Sequence, residues 1–182
     1  MALIDVISRK IFISSVNLDE NSPKTIEDFS GYFESPELSK ELKEKFRIIA
    51  EPIGSLCHIP QQQSIKGPPF SLDGHSIGFL IKHCSKDLSF EGEDSFMMDL
   101  LSQDSFLVFE DLKKKGYYTI SAKKFGADFL VYDKDPAKNH AKFLVFIKDD
   151  QLSSDNSLIF LNRLATIAKK EALLAKVSSK LD

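Results

Sequence analysis

The C-terminal half of this 182-residue chain alternates between two kinds of pattern, and this alternation limits the possible folds more than any other feature. Three segments dense in aromatic and β-branched residues predict strands: 117–121, 129–132 and 141–147. Before them, residues 96–115 carry apolar side chains every three or four positions, which predicts a helix that Gly116 can end. After them, apolar residues on one face predict a short helix over 162–170. Helix, strands and helix in this order predict an α+β fold whose C-terminal domain is α/β-like.

The N-terminal half carries weaker patterns. Residues 3–13 are rich in Ile, Val and Phe and predict a strand pair that turns at 8–10. From Pro36 the apolar residues step by four, four and three, which predicts a helix that ends before Pro52. The next segments predict a loop, a short element that is helical or extended, and an acidic stretch without periodicity: 60–74, 76–83 and 86–94.

The charge of the chain differs between its halves. Residues 1–100 carry 10 Lys and Arg against 16 Asp and Glu, whereas residues 101–182 carry 14 against 11. We therefore predict a mixed α/β N-terminal domain at 1–95 and a distinct C-terminal domain at 96–182. An anionic partner is expected to bind the basic C-terminal half.

The composition excludes several classes of protein. A hydrophobic content of 42% is too high for a disordered chain, and no apolar run approaches the roughly 20 residues that a membrane span needs. Cys57 and Cys84 are the only cysteines, which excludes a disulfide-dense scaffold. The first charges include Asp5 inside a short apolar stretch, which is unlike a signal peptide. We therefore expect a protein without a membrane span that works inside the cell.

Most familiar catalytic signatures are missing from the sequence, including a Gly-rich phosphate loop and His-Glu-x-x-His, so no cofactor and no metal is expected. Tyr132 closes one predicted strand and His140 opens the next across seven residues, so both can lie at the same end of a sheet. They could form an acid and base pair, and Lys170 on the last predicted helix could stabilise charge on a phosphate. Each residue also has a structural interpretation, as strand packing, a surface histidine or a solvated helix face.

A nearly continuous motif favours the catalytic interpretation of these three residues over the structural one. Residues 124–132 are Lys-Phe-Gly-Ala-Asp-Phe-Leu-Val-Tyr, and Asp135-Pro136, His140-Ala141 and the segment 163–170 follow at fixed spacing. This combination resembles the catalytic domain of the tRNA-splicing endonuclease family over about residues 105–177. The resemblance implies that Tyr132, His140 and Lys170 are the catalytic residues.

The motif is most similar to the eukaryotic subunit that cleaves the 3′ splice site, and residues 53–72 are more weakly similar to the small N-terminal domain of that subunit. One departure is Asp133-Lys134 in the turn after Tyr132, where Pro-Gly would be commoner, although Asp is still a turn former. A second departure is that the family continues into a final strand used in subunit pairing, whereas here Leu173–Val177 is expected to be the last strand before Asp182. Either a partner strand covers its edge or the edge stays exposed.

The reaction implied by the resemblance is metal-independent RNA cleavage, in which a ribose 2′-hydroxyl attacks the adjacent phosphate. The products are a 2′,3′-cyclic phosphate and a 5′-hydroxyl, which makes the enzyme an endoribonuclease of the lyase type. Tyr132 would be the base, His140 the acid and Lys170 the group that stabilises negative charge. Tyrosine is mostly protonated at pH 7, since its ordinary pKa is about 10, and is a poor base unless nearby cations such as Lys170 favour the phenolate. Three further lysines could bind the RNA backbone, although each is equally typical of a solvent-facing charge: Lys138, Lys142 and Lys169.

The resemblance also implies partners and a location. The substrate would be intron-containing pre-tRNA, and the chain would join a second catalytic subunit and two structural subunits in a nuclear heterotetramer. A single small domain has no means of measuring where an intron begins, so an assembly that recognises tRNA shape is expected.

Three alternatives remain open on the sequence. The chain could be a non-catalytic structural or RNA-binding subunit of the same assembly, although it has all three residues of the triad. It could be a magnesium-dependent nuclease whose site is built from Asp128, Asp133, Asp135 and Lys138. It could also be an RNA-binding module that stacks bases on Phe125, Phe129 and Tyr132, although core packing on a predicted central strand explains the two phenylalanines better.

Overall fold

A computed structural model of the protein describes five stretches of the chain: 9–15, 25–53, 67–92, 100–148 and 155–177. The chain divides into two compact units, residues 1–106 and 107–182. The predicted domain boundary between residues 95 and 96 falls outside the described residues and stays a prediction. Among the helices in the described stretches, none is both long enough and apolar enough to cross a membrane.

The first unit is built on a five-stranded sheet. Its elements along the chain are β1 (Lys10–Ser15), β2 (Phe29–Phe33), α1 (Pro36–Phe46), β3 (Glu51–Pro52), β4 (Phe70–Asp73), α2 (Gly74–Cys84) and β5 (Ser89–Gly92). The strand order is β3-β4-β2-β1-β5. β5 runs parallel to β1, and the other neighbours are antiparallel.

One face of this sheet forms the core of the first unit. Ile11 and Ile13 of β1 are buried, whereas Phe12 between them is exposed, which is the alternation expected of a strand covered on one side. Helix α2 packs closely on the covered face, because a Cβ atom at Gly31 would lie only 3.0 Å from the Ile77 side chain. The glycine in β2 therefore sets the distance between helix and sheet.

Side chains at the N-termini of both helices explain where they begin. Ser35 Oγ accepts a hydrogen bond from the Leu38 backbone N–H at 3.1 Å, at the start of α1. Asp73 Oδ1 accepts one from the Ser76 backbone N–H at 2.9 Å, at the start of α2.

The second unit is a four-stranded sheet with helices. Its elements are α3 (Asp104–Lys114), β6 (Tyr118–Ser121), β7 (Phe129–Tyr132), β8 (Phe143–Ile147), α4 (Asp155–Ile167) and β9 (Glu171–Ala175). The division between the units falls inside α3. The strand order is β6-β7-β8-β9, with an antiparallel meander from β6 to β8. β9 is parallel to β8, and α4 makes the crossover that a parallel pair requires.

Both faces of the two central strands, β7 and β8, are covered. One face packs on α4 through a cluster of small and aliphatic residues: Ala122, Ala127, Leu130, Ala141, Leu144, Phe146, Leu161 and Ala165. On the other face Phe129 contacts Phe109 of α3, with their ring centroids 5.8 Å apart. Burial on both sides explains why β7 and β8 are nearly continuous apolar runs.

The predicted fold class and several predicted elements are confirmed. The fold is α+β, and the three predicted C-terminal strands appear within two residues of their expected bounds. Helix α1 begins at Pro36 and ends before Pro52 as predicted. Gly116 has a φ of 84°, a left-handed conformation that follows the end of α3.

Other predictions were wrong in part. The stretch predicted as loop over 60–74 contains β4 from Phe70 onward, and the acidic stretch 86–94 contains β5. The helix predicted at 162–170 spans 155–167 instead, and the last predicted strand lies two residues earlier, at Glu171–Ala175.

Two further predictions reach outside the described residues. The strand pair predicted over 3–13 cannot be compared before residue 9, and Lys10 belongs to a strand and not to the predicted turn. Of the helix predicted over 96–115, residues 96–99 lie outside the described stretches. Leu100 is helical, residues 101–103 interrupt the helix, and 104–114 form α3.

Candidate active site

Tyr132 and His140 belong to neighbouring strand ends. Tyr132 is the last residue of β7, and β8 begins three residues after His140. The Lys142 backbone N–H donates a hydrogen bond of 2.9 Å to the Val131 carbonyl oxygen, which joins the two strand ends next to Tyr132. As predicted, the sheet brings Tyr132 and the segment that carries His140 to the same end.

Lys170 lies at the same edge of the sheet, next to the start of β9. It immediately precedes Glu171, the first residue of β9, and the Glu171 backbone N–H donates a 3.0 Å hydrogen bond to the Lys142 carbonyl oxygen. Because β8 and β9 are parallel, their starting ends lie together. The ends of three adjacent strands therefore carry Tyr132, His140 and Lys170.

The position of Lys170 corrects its predicted place on the last helix. Helix α4 ends at Ile167, and Lys169 adopts a left-handed conformation with φ of 53°. The Lys169 backbone N–H donates to the Thr166 carbonyl oxygen at 3.0 Å, and that of Lys170 donates to the Ala165 carbonyl oxygen at 2.9 Å. These two bonds form a Schellman motif, so Lys170 lies in the turn between α4 and β9.

Tyr132 is half-buried against the cluster that packs beneath α4. Burial raises the pKa of its phenol above the usual value of about 10, because the protein disfavours the charged phenolate. The phenol of the free protein is therefore protonated at neutral pH. At neutral pH Tyr132 therefore supplies less of the basic phenolate than an exposed tyrosine would.

His140 is exposed at the end of an ordered turn. Asp135 organises this turn: its Oδ1 accepts a 3.0 Å hydrogen bond from the Ala137 backbone N–H, and its carbonyl oxygen accepts one of 2.9 Å from Asn139 Nδ2. The predicted turn after Tyr132 is thus stabilised by Asp135. His140 is open to a large substrate and is not packed into the core.

Lys170 lines a shallow depression at the same edge. Its Nζ donates a 3.1 Å hydrogen bond to the Ala168 carbonyl oxygen, at the C-terminal end of α4. The depression has a volume of about 490 Å³ and is lined by Ala141, Lys142, Thr166, Lys169, Lys170 and Glu171.

Two of the three lysines predicted to bind RNA line this depression with Lys170. They are Lys142 and Lys169, whereas Lys138 lies apart from it, on the turn that Asp135 organises. Thr166 and Glu171 also line it and were not predicted, since only their closeness to Lys170 in sequence could have indicated them. The concentration of ammonium groups suits an anionic ligand.

Two of the three carboxylates proposed for a magnesium site, Asp128 and Asp135, have structural partners. Asp128 Oδ2 accepts a 2.7 Å hydrogen bond from the Ile147 backbone N–H, and Asp135 holds the turn described above. Within the described stretches, no three His, Cys, Asp or Glu side chains are grouped as a metal site would require. The structure thus offers the magnesium alternative no ligand cluster in the part of the chain that it describes.

The interpretation of the two phenylalanines as core residues is right for one and wrong for the other. Phe129 is 2% exposed, but Phe125 is 47% exposed. Phe125 lies on a short 3-10 turn and not on the predicted strand, because the chain turns at Gly126 with φ of 70° before β7 begins.

Comparison with known proteins points to one family. Residues 103–182 match the family model of the tRNA intron endonuclease, catalytic C-terminal domain. The chain is 40% identical over 75 residues to a tRNA-splicing endonuclease of Sulfurisphaera tokodaii, covering 40% of this chain and 41% of that protein. It is 37% identical over 76 residues to the tRNA-splicing endonuclease of Saccharolobus solfataricus, covering 41% and 42%. It is 32% identical over 97 residues to that of Methanopyrus kandleri, covering 48% and 54%.

These similarities agree with the resemblance noted in the sequence. They confirm that the C-terminal segment is similar to the catalytic domain of a tRNA-splicing endonuclease. The chain spans about half or less of the length of these curated relatives.

Proposed function

We propose that this chain is a catalytic subunit of a tRNA-splicing endonuclease that cleaves intron-containing pre-tRNA at the 3′ splice site. The observation that carries the proposal is the convergence of Tyr132, His140 and Lys170 on one sheet edge, inside the segment that matches the catalytic domain. The assignment to the 3′ site rests on the motif of residues 124–132 alone.

The proposed reaction needs three groups. The 2′-hydroxyl oxygen forms a bond to the adjacent phosphorus while the bond from phosphorus to the 5′ oxygen breaks, which leaves a 2′,3′-cyclic phosphate and a 5′-hydroxyl. The phenolate form of Tyr132 takes the 2′ proton and becomes the phenol, and protonated His140 gives its proton to the leaving 5′ oxygen. Lys170 stabilises the negative charge that accumulates on the phosphate oxygens. The exposure of His140 supports its role, since the leaving oxygen belongs to a macromolecule.

The lysines around the site bind the RNA backbone in this proposal. Lys142 and Lys169 share the depression with Lys170, so that a chain of phosphates following the depression would meet several ammonium groups. Lys138 on the neighbouring turn would contact the backbone outside the depression. Glu171 lines the depression as well, and its carboxylate would have to face away from the phosphates.

The proposed setting is a heterotetramer with a second catalytic subunit and two structural subunits, in the nucleus. The main alternative is a structural or RNA-binding subunit of the same assembly, which would need the fold but no chemistry. The presence of all three residues of the triad favours the catalytic role.

The decisive experiment is the analysis of RNA ends. The chain is incubated with intron-containing pre-tRNA, alone and with candidate partner subunits, in EDTA and in Mg²⁺. We expect cleavage that persists in EDTA and yields 2′,3′-cyclic phosphate and 5′-hydroxyl ends, because the attacking group is the substrate's own hydroxyl. Activity that is lost on chelation, restored by Mg²⁺ and accompanied by 5′-phosphate ends would instead establish the carboxylate-metal alternative.

The same gels test the choice of splice site. Release of the 3′ exon from an otherwise intact precursor is the expected first product. Release of the 5′ exon alone would contradict the assignment to the 3′ site without affecting the proposed chemistry.

A further inference from the structure

Lys169 has an unusual backbone conformation. With φ of 53° it is one of two non-glycine residues in the left-handed region within the described stretches, and the other is Arg47 with φ of 55°. This conformation is unfavourable for residues with a side chain and is normally left to glycine or asparagine. The energetic cost of a lysine at this position must therefore be offset by another contribution of that residue.

The left-handed residue directs the chain from α4 into β9. The Schellman bonds of Lys169 and Lys170 end the helix, and one residue later the Glu171 backbone N–H donates to the carbonyl oxygen of Lys142, the residue before β8. Lys170 is fixed between these two anchors. Its ammonium group donates to the Ala168 carbonyl oxygen, one of the free acceptors at the helix end.

The side chain of Lys169 has a separate use. It is exposed and lines the same depression as Lys142 and Lys170. Glycine would fit the backbone better but would remove one ammonium group from this surface. The strained lysine thus combines a turn geometry with a positive charge beside the site.

We infer that Lys169 is a positioning residue for Lys170: its left-handed backbone sets the ammonium group of Lys170 at the sheet edge, and its own ammonium group binds the RNA backbone. The inference rests on the proposed function, in which Lys170 stabilises the phosphate in the transition state. Lys169 thus makes two contributions: its backbone contributes to the rate of cleavage, and its charge contributes to RNA binding.

Two substitutions separate these contributions. Lys169→Gly and Lys169→Val both remove the charge, but glycine keeps the left-handed turn whereas the β-branched valine strongly disfavours it. Binding is measured with a pre-tRNA that has a 2′-deoxy substitution at the cleavage site. Both variants should bind this RNA more weakly than the wild-type protein, and the salt dependence of their affinity should be smaller by about one phosphate contact. At saturating substrate Lys169→Val should cleave more slowly than Lys169→Gly, on the order of 10- to 100-fold, because only the valine variant displaces Lys170.

Arg47 provides the matched control. It is also a basic residue in the left-handed conformation at a helix end, but it follows α1 in the other unit. Arg47→Gly should leave both RNA binding and the cleavage rate unchanged. If Lys169→Val proves too unstable to purify, Lys169→Asn and Lys169→Ala make a milder pair, since asparagine tolerates the left-handed region better than alanine.

Three results would overturn the inference. Equal cleavage rates for the glycine and valine variants would exclude a backbone effect, and unchanged RNA binding in both would exclude the charge effect. The third concerns the reactivity of the Lys170 amine toward an acylating reagent, measured by mass spectrometry. Lys169→Val should release this amine from Ala168 and change its reactivity, while Lys169→Gly should not. Unchanged reactivity in Lys169→Val would contradict the inference. This labelling needs no activity, so a wild-type protein that stays inactive even with its partner subunits would refute the proposed function while the position of Lys170 is still tested.

Discussion

At the scale of single residues, exposure and burial distinguish the two candidate proton-transfer groups. His140 projects from an ordered turn, so its removal should not disturb the core. His140→Ala should slow cleavage by roughly 10²- to 10⁴-fold, the typical contribution of a general acid, and should leave pre-tRNA binding and the thermal unfolding midpoint unchanged. Single-turnover kinetics, binding and thermal unfolding measure the three quantities.

A control for this variant lies in the first unit. His83 is an exposed histidine near the end of α2, and His83→Ala should cleave at the wild-type rate. If His140→Ala unfolds or fails to join its partners, the residue has a structural role and the acid assignment is wrong.

Tyr132 gives the active site a characteristic pH dependence. Burial raises the pKa of its phenol above the usual value of about 10, so that the basic phenolate becomes more abundant as the pH rises toward that raised pKa. The His140→Ala variant lacks the proposed acid and is the background for this test. In it the cleavage rate should rise about tenfold per pH unit through pH 9 and should not level off by about pH 10. Tyr132→Phe in the same background should abolish this rise. A rate that levels off below pH 9 would show that the proton acceptor is a different group.

At the scale of secondary structure, the carboxylate of Asp128 joins the start of β7 to the end of β8. It accepts a 2.7 Å hydrogen bond from the Ile147 backbone N–H. Asp128→Ala should lower the free energy of unfolding by about 1–3 kcal/mol, because it leaves that N–H without its acceptor. Asp128→Asn should lose less, since the amide oxygen can still accept. Urea unfolding of the two variants measures the difference.

The same pair of variants tests the magnesium alternative. If Asp128 holds only the strands, Asp128→Asn should cleave pre-tRNA at nearly the wild-type rate. A large loss of activity in a stably folded Asp128→Asn protein would mean that the carboxylate takes part in the chemistry.

The elements that the sequence predicts well are those whose own composition determines them. Strands β7 and β8 are continuous apolar runs buried on both faces, and their antiparallel pairing made the shared edge of Tyr132 and His140 predictable. Strands β4 and β5 contain serine and acidic residues and are stabilised by pairing with β2 and β1, which no local pattern reveals. The helix end before Lys170 was missed because Lys169, and not a glycine, supplies the left-handed residue.

At the scale of the whole molecule, strand β9 forms an edge of the sheet in the described part of the second unit. β9 is the outermost strand of the four-stranded sheet that the structure describes, and Leu173 and Leu174 on it are 39% and 43% exposed. They line a groove of about 600 Å³ together with Leu107, Val108 and Leu112 of α3. An edge strand with exposed leucines is a surface that other chains can pair with, and covering it would bury both the apolar side chains and the free backbone groups.

We therefore expect the chain to be weakly active or inactive alone and to form a specific complex with other subunits. Leu174→Lys should weaken that complex, because it places a charge in the groove beside β9. Phe12→Lys is the matched control, since Phe12 is also an exposed apolar residue in the middle of a strand, but on the sheet of the first unit. Sedimentation velocity with and without candidate subunits gives the association state, and cleavage of pre-tRNA by the same samples gives the activity. A stable monomer that cuts pre-tRNA accurately at one splice site by itself would refute the assembly, because recognition of the intron would then need nothing beyond this chain.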